Sequence, residues 1–141
     1  MEASVTPGRK VSLAIPAKPD YVVLARLALS AVCRLSPLAP EEVADLKLAI
    51  TEASNYLMGG ERRGSARDEG DPDGGDANGR LTFTFDLGDE SLELCVSGEE
   101  MPTVSAEERE LSIALIKATV DSYEYGDGMM RLTKQLSFDA Q

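Results

Sequence analysis

Residues 81–96 read LTFTFDLGDESLELCV, and this stretch decides the fold. Apolar and polar residues alternate over 81–87 and again over 92–96, which is the period-two pattern of strands with one buried face. The polar segment Gly88-Asp89-Glu90-Ser91 between them has the composition of a turn. The stretch therefore predicts a β-hairpin that buries one of its faces.

The sequence after this hairpin predicts a helix and a second hairpin. Ser105 and Glu108 have the spacing of a capping box, in which each side chain bonds the other residue's backbone at the start of a helix. The apolar residues that follow recur at helical spacing and give the helix a buried side. Segments 122–125 and 129–136 then flank Gly126-Asp127-Gly128, which indicates two strands joined by a tight turn.

The sequence before the hairpin predicts one strand and two helices. Residues 10–15 alternate and stop at a proline, as a short strand does. Residues 21–35 are apolar around most of a helix, so this helix needs cover from a sheet, a second helix or another subunit. A second amphipathic helix follows a proline-rich break, has Glu41-Glu42 in its first turn and ends near Met58.

The order of these elements predicts the fold class. It is strand, two helices, two strands, helix and two strands, which indicates an α+β two-layer sandwich with a mostly antiparallel sheet covered on one face by about three helices. Segment 61–79 is acidic, glycine-rich and nearly free of large apolar side chains, so we expect a flexible loop there. A length of 141 residues fits a single domain over 1–141.

Composition argues against several classes of function. The chain has no histidine, which removes imidazole-dependent catalytic triads and the commonest transition-metal ligand. A formal net charge of −11 does not suit nucleic acid, whose phosphates need clustered Lys and Arg. No apolar run could cross a bilayer and the first ten residues resemble no signal peptide, so we expect no membrane association and a cytoplasmic location. Cys33 and Cys95 are expected to be buried free thiols.

Three segments together carry a resemblance to a known family. They are PAKPDYVVLARL at 16–27, DLKLAITEA at 45–53, and LIKATVDS at 115–122 with LTK at 132–134. In this order and spacing they resemble bacterial anti-sigma factors of the serine/threonine-protein kinase type, which belong to the GHKL, or histidine kinase-like ATPase, superfamily. The resemblance covers nearly the whole chain and implies the same α+β fold.

The resemblance also implies the place of a nucleotide site. In the family, the second helix carries a glutamate that acts on the attacking nucleophile and, four residues later, an asparagine that binds magnesium. Glu52 occupies the glutamate position and is the candidate catalytic residue if the kinase is active. The next position holds Tyr56, and Asn55, the candidate metal and cofactor ligand, stands one residue short, which turns it about 100° around the helix.

Two further motif positions depart from the family pattern. The family's adenine-reading aspartate is replaced by Gly98, and its phosphate-holding glycine pair at the start of the last helix is replaced by Glu110 and Ser112. Gly98 and Ser112 are therefore degenerate candidate cofactor-binding positions. The departures predict weak or absent ATP binding, so we expect no cofactor, with ATP and Mg²⁺ as the cofactors if the chain is an active kinase.

Three functions stay open from the sequence. The first is an anti-sigma protein that sequesters a sigma factor without phosphorylating its antagonist, a STAS-domain anti-anti-sigma protein. The family implies a homodimer and a sigma-binding surface around the first helix, which makes Arg26 and Arg34 candidate contacts, although a helix that only packs in the core explains the same apolar pattern. The second is an active kinase that phosphorylates the STAS-domain protein with Glu52 and Asn55. The third is an interaction module that keeps only the fold.

Overall fold

The computed structural model describes residues 2–6, 9–59, 79–98 and 105–136. Its helices are α1, α2 and α3, and a short 3₁₀ turn precedes α1. Its strands form one antiparallel sheet in the order β1-β2-β3-β4-β6-β5. The bounds are β1 (Glu2–Thr6), β2 (Lys10–Pro16), the 3₁₀ turn (Pro19–Tyr21), α1 (Val22–Cys33), α2 (Pro40–Leu57), β3 (Arg80–Leu87), β4 (Ser91–Gly98), α3 (Ala106–Thr119), β5 (Ser122–Gly126) and β6 (Met129–Gln135).

The central hairpin, β3 and β4, buries the face that its alternation predicts. Phe83 lies opposite Val96 and Phe85 opposite Leu94, and all four side chains are fully buried. The polar residues between them are on the other face of the sheet, because successive side chains in a strand point to opposite sides. The three helices cover the apolar face, so the expected α+β sandwich is confirmed.

Helix α2 lies in the middle of the helical layer, packed against both α1 and α3. It buries a stripe toward the sheet in which apolar residues recur at three- and four-residue steps, namely Leu46, Ile50, Ala53 and Leu57. At its start, the Ala39 N–H donates to Glu42 Oε1 at 2.9 Å, which satisfies one of the backbone groups that a helix leaves free. The position of α2 gives its two flanks different neighbours, α1 on one side and α3 on the other.

The local signals at α3 and at the second hairpin are also confirmed. Ser105 Oγ accepts from the Glu108 N–H at 3.1 Å, and the Ser105 N–H donates to Glu108 Oε1 at 3.4 Å, so the capping box is formed. Between β5 and β6, Asp127 and Gly128 have φ values of 55° and 73°. Two successive positive φ angles define a type I′ turn, whose twist matches that of antiparallel strands.

Two details of the fold differ from the sequence-based expectation, and a third concerns a segment that lies almost wholly outside the described residues. Strand β1 was not expected, and it pairs with β2 from Glu2 opposite Ala14 to Thr6 opposite Lys10. The first helix is shorter than 21–35, because its last turn tightens: the Leu35 N–H donates to the carbonyl three residues back. The expected flexible loop at 61–79 lies outside the described residues except for Gly79, whose carbonyl accepts from the Ala17 N–H.

Candidate functional site

The flank of α2 that faces α3 brings two predicted site residues together. Glu52 is half-buried near the C-terminal end of α2, and Ser112 is half-buried on α3. Ser112 Oγ donates to Glu52 Oε1 at 3.2 Å. A hydroxyl that donates to a carboxylate forms a charge-assisted hydrogen bond, which is stronger than one between neutral groups. The candidate catalytic carboxylate therefore already has a donor from its own chain.

One helical turn further along α2, Tyr56 fills the position where the family pattern expects a metal-binding asparagine. Its side chain is buried, with 5% of its surface exposed, and its ring meets that of Tyr125 in β5 edge-to-face, with centroids 5.3 Å apart and planes at 74°. Burial first, and the neighbouring Tyr56 second, raise the pKa of Tyr125. The tyrosine pair ties the end of α2 to the β5–β6 hairpin.

Asn55 takes part in neither the Glu52–Ser112 nor the Tyr56–Tyr125 contact. It is half-buried on α2, and its side chain has no hydrogen-bond partner among the described residues. One residue along a helix corresponds to about 100° of rotation, so Asn55 points away from the line through Glu52 and Tyr56. Of the two candidate residues on α2, the structure brings only Glu52 into contact with another predicted site residue.

Gly98 ends β4 beside apolar side chains. Its N–H donates to the Gly128 carbonyl at 3.0 Å, which fastens the end of β4 to the type I′ turn. A Cβ at this position would lie 3.5 Å from Leu81 Cδ2 and 3.7 Å from Leu57 Cβ, which are ordinary contact distances. The backbone therefore leaves room for a side chain at 98, where its nearest neighbours are the side chains of Leu81 and Leu57 and the Leu57 carbonyl oxygen, at 3.7 Å.

The former glycine positions of α3 lie inside the helix. The capping box starts α3 at Ala106, so Glu110 and Ser112 are its fifth and seventh residues. Only the first turn of a helix leaves N–H groups without an intrahelical acceptor, and the ladder has begun by Arg109, whose N–H donates to Ser105 O at 2.9 Å. The amides of Glu110 and Ser112 are therefore used within α3. The resemblance placed these two residues at the helix start, whereas the capping box starts the helix at Ala106, four residues before Glu110.

The two arginine candidates, one on α1 and one just after it, are in different states. Arg26 is half-buried, and its guanidinium donates from Nη1 to Thr51 Oγ1 on α2 at 3.3 Å. Arg34 is exposed just after α1, and no side-chain partner for it exists among the described residues. Arg26 therefore ties α1 to α2, whereas Arg34 is open to a partner.

Large apolar side chains are also exposed on α1 and in the turn just after it. Val23, Leu27 and Leu35 are 43%, 61% and 63% exposed, and they recur at multiples of four residues. No Asp or Glu occurs between Tyr21 and Pro40, although the chain has 25 acidic residues. We call the set Val23, Leu27, Arg34 and Leu35 the α1 surface. It is apolar and basic on a strongly acidic chain.

Comparison with known proteins agrees with this geometry of a sheet, a central helix and a glutamate on its flank. Residues 15–135 match the family model described as a histidine kinase-like ATPase domain. The chain belongs to this family. As a histidine kinase-like ATPase domain it has similar curated relatives, and the chain spans about half the length, or less, of the relatives it matches.

Those relatives share one name, Serine-protein kinase RsbW. The protein of Listeria innocua serovar 6a is 31% identical over 88 residues, which is 62% of this chain and 49% of the relative. That of Bacillus subtilis strain 168 is 29% identical over 90 residues, 63% of this chain and 49% of the relative. That of Listeria monocytogenes serotype 4a is 46% identical over 44 residues, 31% and 28% of the two chains. The resemblance to serine kinases of the histidine kinase-like superfamily is thereby confirmed.

The described residues of this histidine kinase-like ATPase domain also bear on metal binding, membrane insertion and thiol chemistry. No group of His, Cys, Asp and Glu there could hold a metal ion, and no helix there is long and apolar enough to cross a membrane. Both cysteines are free, with Cys33 buried and Cys95 half-buried on the open face of the sheet. Burial raises the pKa of the Cys33 thiol to about 11, so this thiol is protonated at neutral pH.

Sequence analysis missed one residue of the site and the state of another. Tyr125 belongs to no motif, and no sequence signal marks its contact with Tyr56. The bond between Arg26 and Thr51 depends on how α1 packs on α2, which periodicity does not specify. Both are tertiary contacts between segments far apart in the chain.

Proposed function

We propose that this chain is an anti-sigma regulatory protein that binds and sequesters a sigma factor, with ATP binding weak or lost. The observation that carries the proposal is the α1 surface, which exposes Leu27 and Leu35 by more than 60% each on a histidine kinase-like scaffold. A row of exposed apolar side chains beside a free guanidinium is typical of protein recognition. The sequence resemblance supports the sigma factor as the partner.

The charge of the α1 surface supports a partner with an apolar and acidic surface. Arg34 is exposed at the end of a stretch without acidic residues, so this is one place where the chain would not repel an acidic protein. Complementary charge around an apolar centre speeds encounter and sets orientation. The sigma factor would thus contact Leu27 and Leu35 with apolar groups and Arg34 with a carboxylate.

The weak or lost ATP binding is supported by a poor fit between the present residues and Mg²⁺-ATP. Buried Tyr56 offers a ring where a metal would need an amide oxygen, and the amides of Glu110 and Ser112 are used within α3. Gly98 has no carboxylate to accept from the adenine amino group, and its neighbours Leu57 and Leu81 are apolar. The nearby carboxylate of Glu52 is bonded to Ser112. No step of the proposed function therefore uses a nucleotide.

We further propose a homodimer and a STAS-domain anti-anti-sigma protein as a competing partner, both from the resemblance. Competition needs only that the two partners share part of one surface, because binding of one then excludes the other. The strongly negative charge of the chain opposes direct contact with nucleic acid, so sequestration of the sigma factor is the proposed route to transcription.

The test is calorimetric titration of the purified chain with each purified sigma factor of its host, with and without Mg²⁺-ATP. We expect one sigma factor to bind with a Kd of about 1 µM or tighter, and with the same Kd in both buffers, because the proposed interface contains no nucleotide. No binding to any sigma factor would refute the partner. A Kd that became tenfold lower with Mg²⁺-ATP would refute the proposal that ATP binding is weak or lost.

The second candidate function is an active serine/threonine-protein kinase that phosphorylates the STAS-domain protein. It is favoured by the retained Glu52 and by relatives named serine-protein kinases. In that case Asn55 would have to hold Mg²⁺ and Ser112 would have to release Glu52. Transfer of labelled phosphate from ATP to a STAS-domain protein, abolished by Glu52→Gln, would establish this function over the first.

A further inference from the structure

We infer that Glu52–Ser112 and Tyr56–Tyr125 act as a built-in brace, which holds α2, α3 and the β5–β6 hairpin as one unit without any nucleotide. The inference rests on the proposed function, and it adds a structural feature to it: the arrangement of the helical layer is set by the chain's own side chains. We call these two pairs the brace. It reaches from α2 to two different elements, so it joins three parts of the structure.

The geometry places both pairs on one line along α2. Glu52 and Tyr56 are four residues apart, and residues at this spacing lie on the same side of a helix. Ser112 reaches Glu52 from α3 at 3.2 Å, and Tyr125 meets Tyr56 from β5 at a centroid distance of 5.3 Å. Sliding or opening of α2 against α3 would break the first contact, and movement of the hairpin would break the second.

The brace occupies the positions where the resemblance expects nucleotide contacts. Tyr56 stands at the expected metal ligand and Ser112 at an expected phosphate-binding glycine. The side chains introduced there contact other parts of the chain, so the replacements add intramolecular contacts. A contact of either kind changes an opening equilibrium by about fivefold to tenfold.

The brace also continues to α1 through a residue next to Glu52. Thr51 accepts from Arg26 of α1 at 3.3 Å, and its own hydroxyl donates to the Lys47 carbonyl at 2.8 Å. Adjacent residues on a helix point about 100° apart, so Thr51 and Glu52 bond different neighbours from one turn of α2. The α1 surface is therefore carried on a helix that is fastened to the braced unit.

The test is amide hydrogen exchange of the full chain, without partner or nucleotide, on a Ser112→Ala/Tyr125→Ala variant. Both residues are outside the sheet core, and Tyr125 is 38% exposed, so the variant should fold. We expect amides in α3 and in the C-terminal half of α2 to exchange at least about tenfold faster, because both contacts are lost, while amides in β3 and β4 are unchanged. Leu111→Ala, an exposed position on α3, is the matched control and should leave exchange unchanged.

Three results decide the inference. Acceleration of threefold or more confined to α2, α3 and the hairpin supports it, and rescue by Ser112→Thr/Tyr125→Phe, which keeps a hydroxyl and a ring, would assign it to these groups. Acceleration below threefold, or equal acceleration throughout the protein, overturns it. Added protection of wild-type α2 and α3 by millimolar Mg²⁺-ATP also overturns it. None of these outcomes depends on a sigma factor, so a failure of the proposed partner is seen separately in the titration.

Discussion

The two sides of α2 differ in how their polar and apolar groups are used. On the α3 side, Glu52 and Tyr56 are both engaged by side chains from elsewhere in the chain. On the α1 side, one arginine is bonded to Thr51, and beyond it Leu27 and Leu35 are exposed. On the α3 side, two positions where the resemblance expects nucleotide contacts are engaged by internal contacts, whereas Leu27 and Leu35 are exposed. Binding of a partner is therefore expected on α1.

The largest effect is expected for Leu27→Asp. We expect it to weaken sigma-factor binding at least about a hundredfold, because a charge would have to be buried at the centre of the apolar α1 surface. Calorimetric titration measures the change. Leu111→Asp is the control, because Leu111 is 63% exposed on α3 against 61% for Leu27 on α1. Equal loss in both variants would mean that α1 is not the specific surface.

The cleft side can be tested by restoring the family pattern. A variant with Tyr56→Asn, Gly98→Asp, Glu110→Gly and Ser112→Gly should gain Mg²⁺-ATP binding, seen as a rise in Tm of several degrees at saturating ligand. The room at position 98 permits the aspartate, although its apolar neighbours should lower stability by about 1–3 kcal/mol without ligand.

Adding Ser105→Ala to that variant should strengthen ATP binding further. Loss of the capping box costs about 1 kcal/mol at the start of α3, and two glycines inside the helix cost about 1 kcal/mol each, so the first turn should unwind and release amides. If Mg²⁺-ATP shifts the Tm of neither variant, the residues at these motif positions are not the reason for weak ATP binding.

The two arginines should respond differently to removal. Arg34→Ala should slow association with the sigma factor by about threefold to tenfold at low salt, and the effect should shrink at high salt, as expected for an exposed charge. Arg26→Ala should instead lower the free energy of unfolding by about 0.5–1.5 kcal/mol through loss of its bond to Thr51. Stopped-flow association and urea unfolding of both variants separate the two effects. The reverse assignment would mean that Arg26 leaves Thr51 to contact the partner.

The effect that is smallest at neutral pH concerns Cys33, because it develops only under alkaline conditions. Its folded pKa of about 11 is above the unfolded value of about 8.5. The native state therefore keeps a proton that the unfolded state loses, so stability from this group is complete below pH 8.5 and declines up to about pH 11. Urea unfolding at several pH values should show a shallower decline for Cys33→Ala than for wild type. Parallel curves would show that this thiol titrates alike in both states.

Most of the fold could be predicted because its signals are local. Alternation over 81–96 and the Ser105–Glu108 capping box specify a hairpin and a helix start within a few residues. Strand β1 could not be predicted, since its pairing with β2 depends on a neighbour and not on its own pattern.

For the candidate site, the sequence marks candidate positions but not the contacts between them. The resemblance marked Glu52, Gly98 and Ser112, and the structure joins the first and last of these. Neither Tyr125 nor the Arg26–Thr51 bond has a sequence signal, because each depends on the packing of distant segments.

The capping box of α3 has an evolutionary consequence. Because Ser105 and Glu108 set where the helix begins, they also decide which backbone amides remain for an anion. An ancestor with an intact ligand motif could have lost its cofactor simply by nucleating this helix about one turn earlier. Such a loss would leave the motif letters unchanged, so comparison of motif residues alone would miss it. The position of the cap is thus a second feature, besides the motif residues, to compare between members of this family.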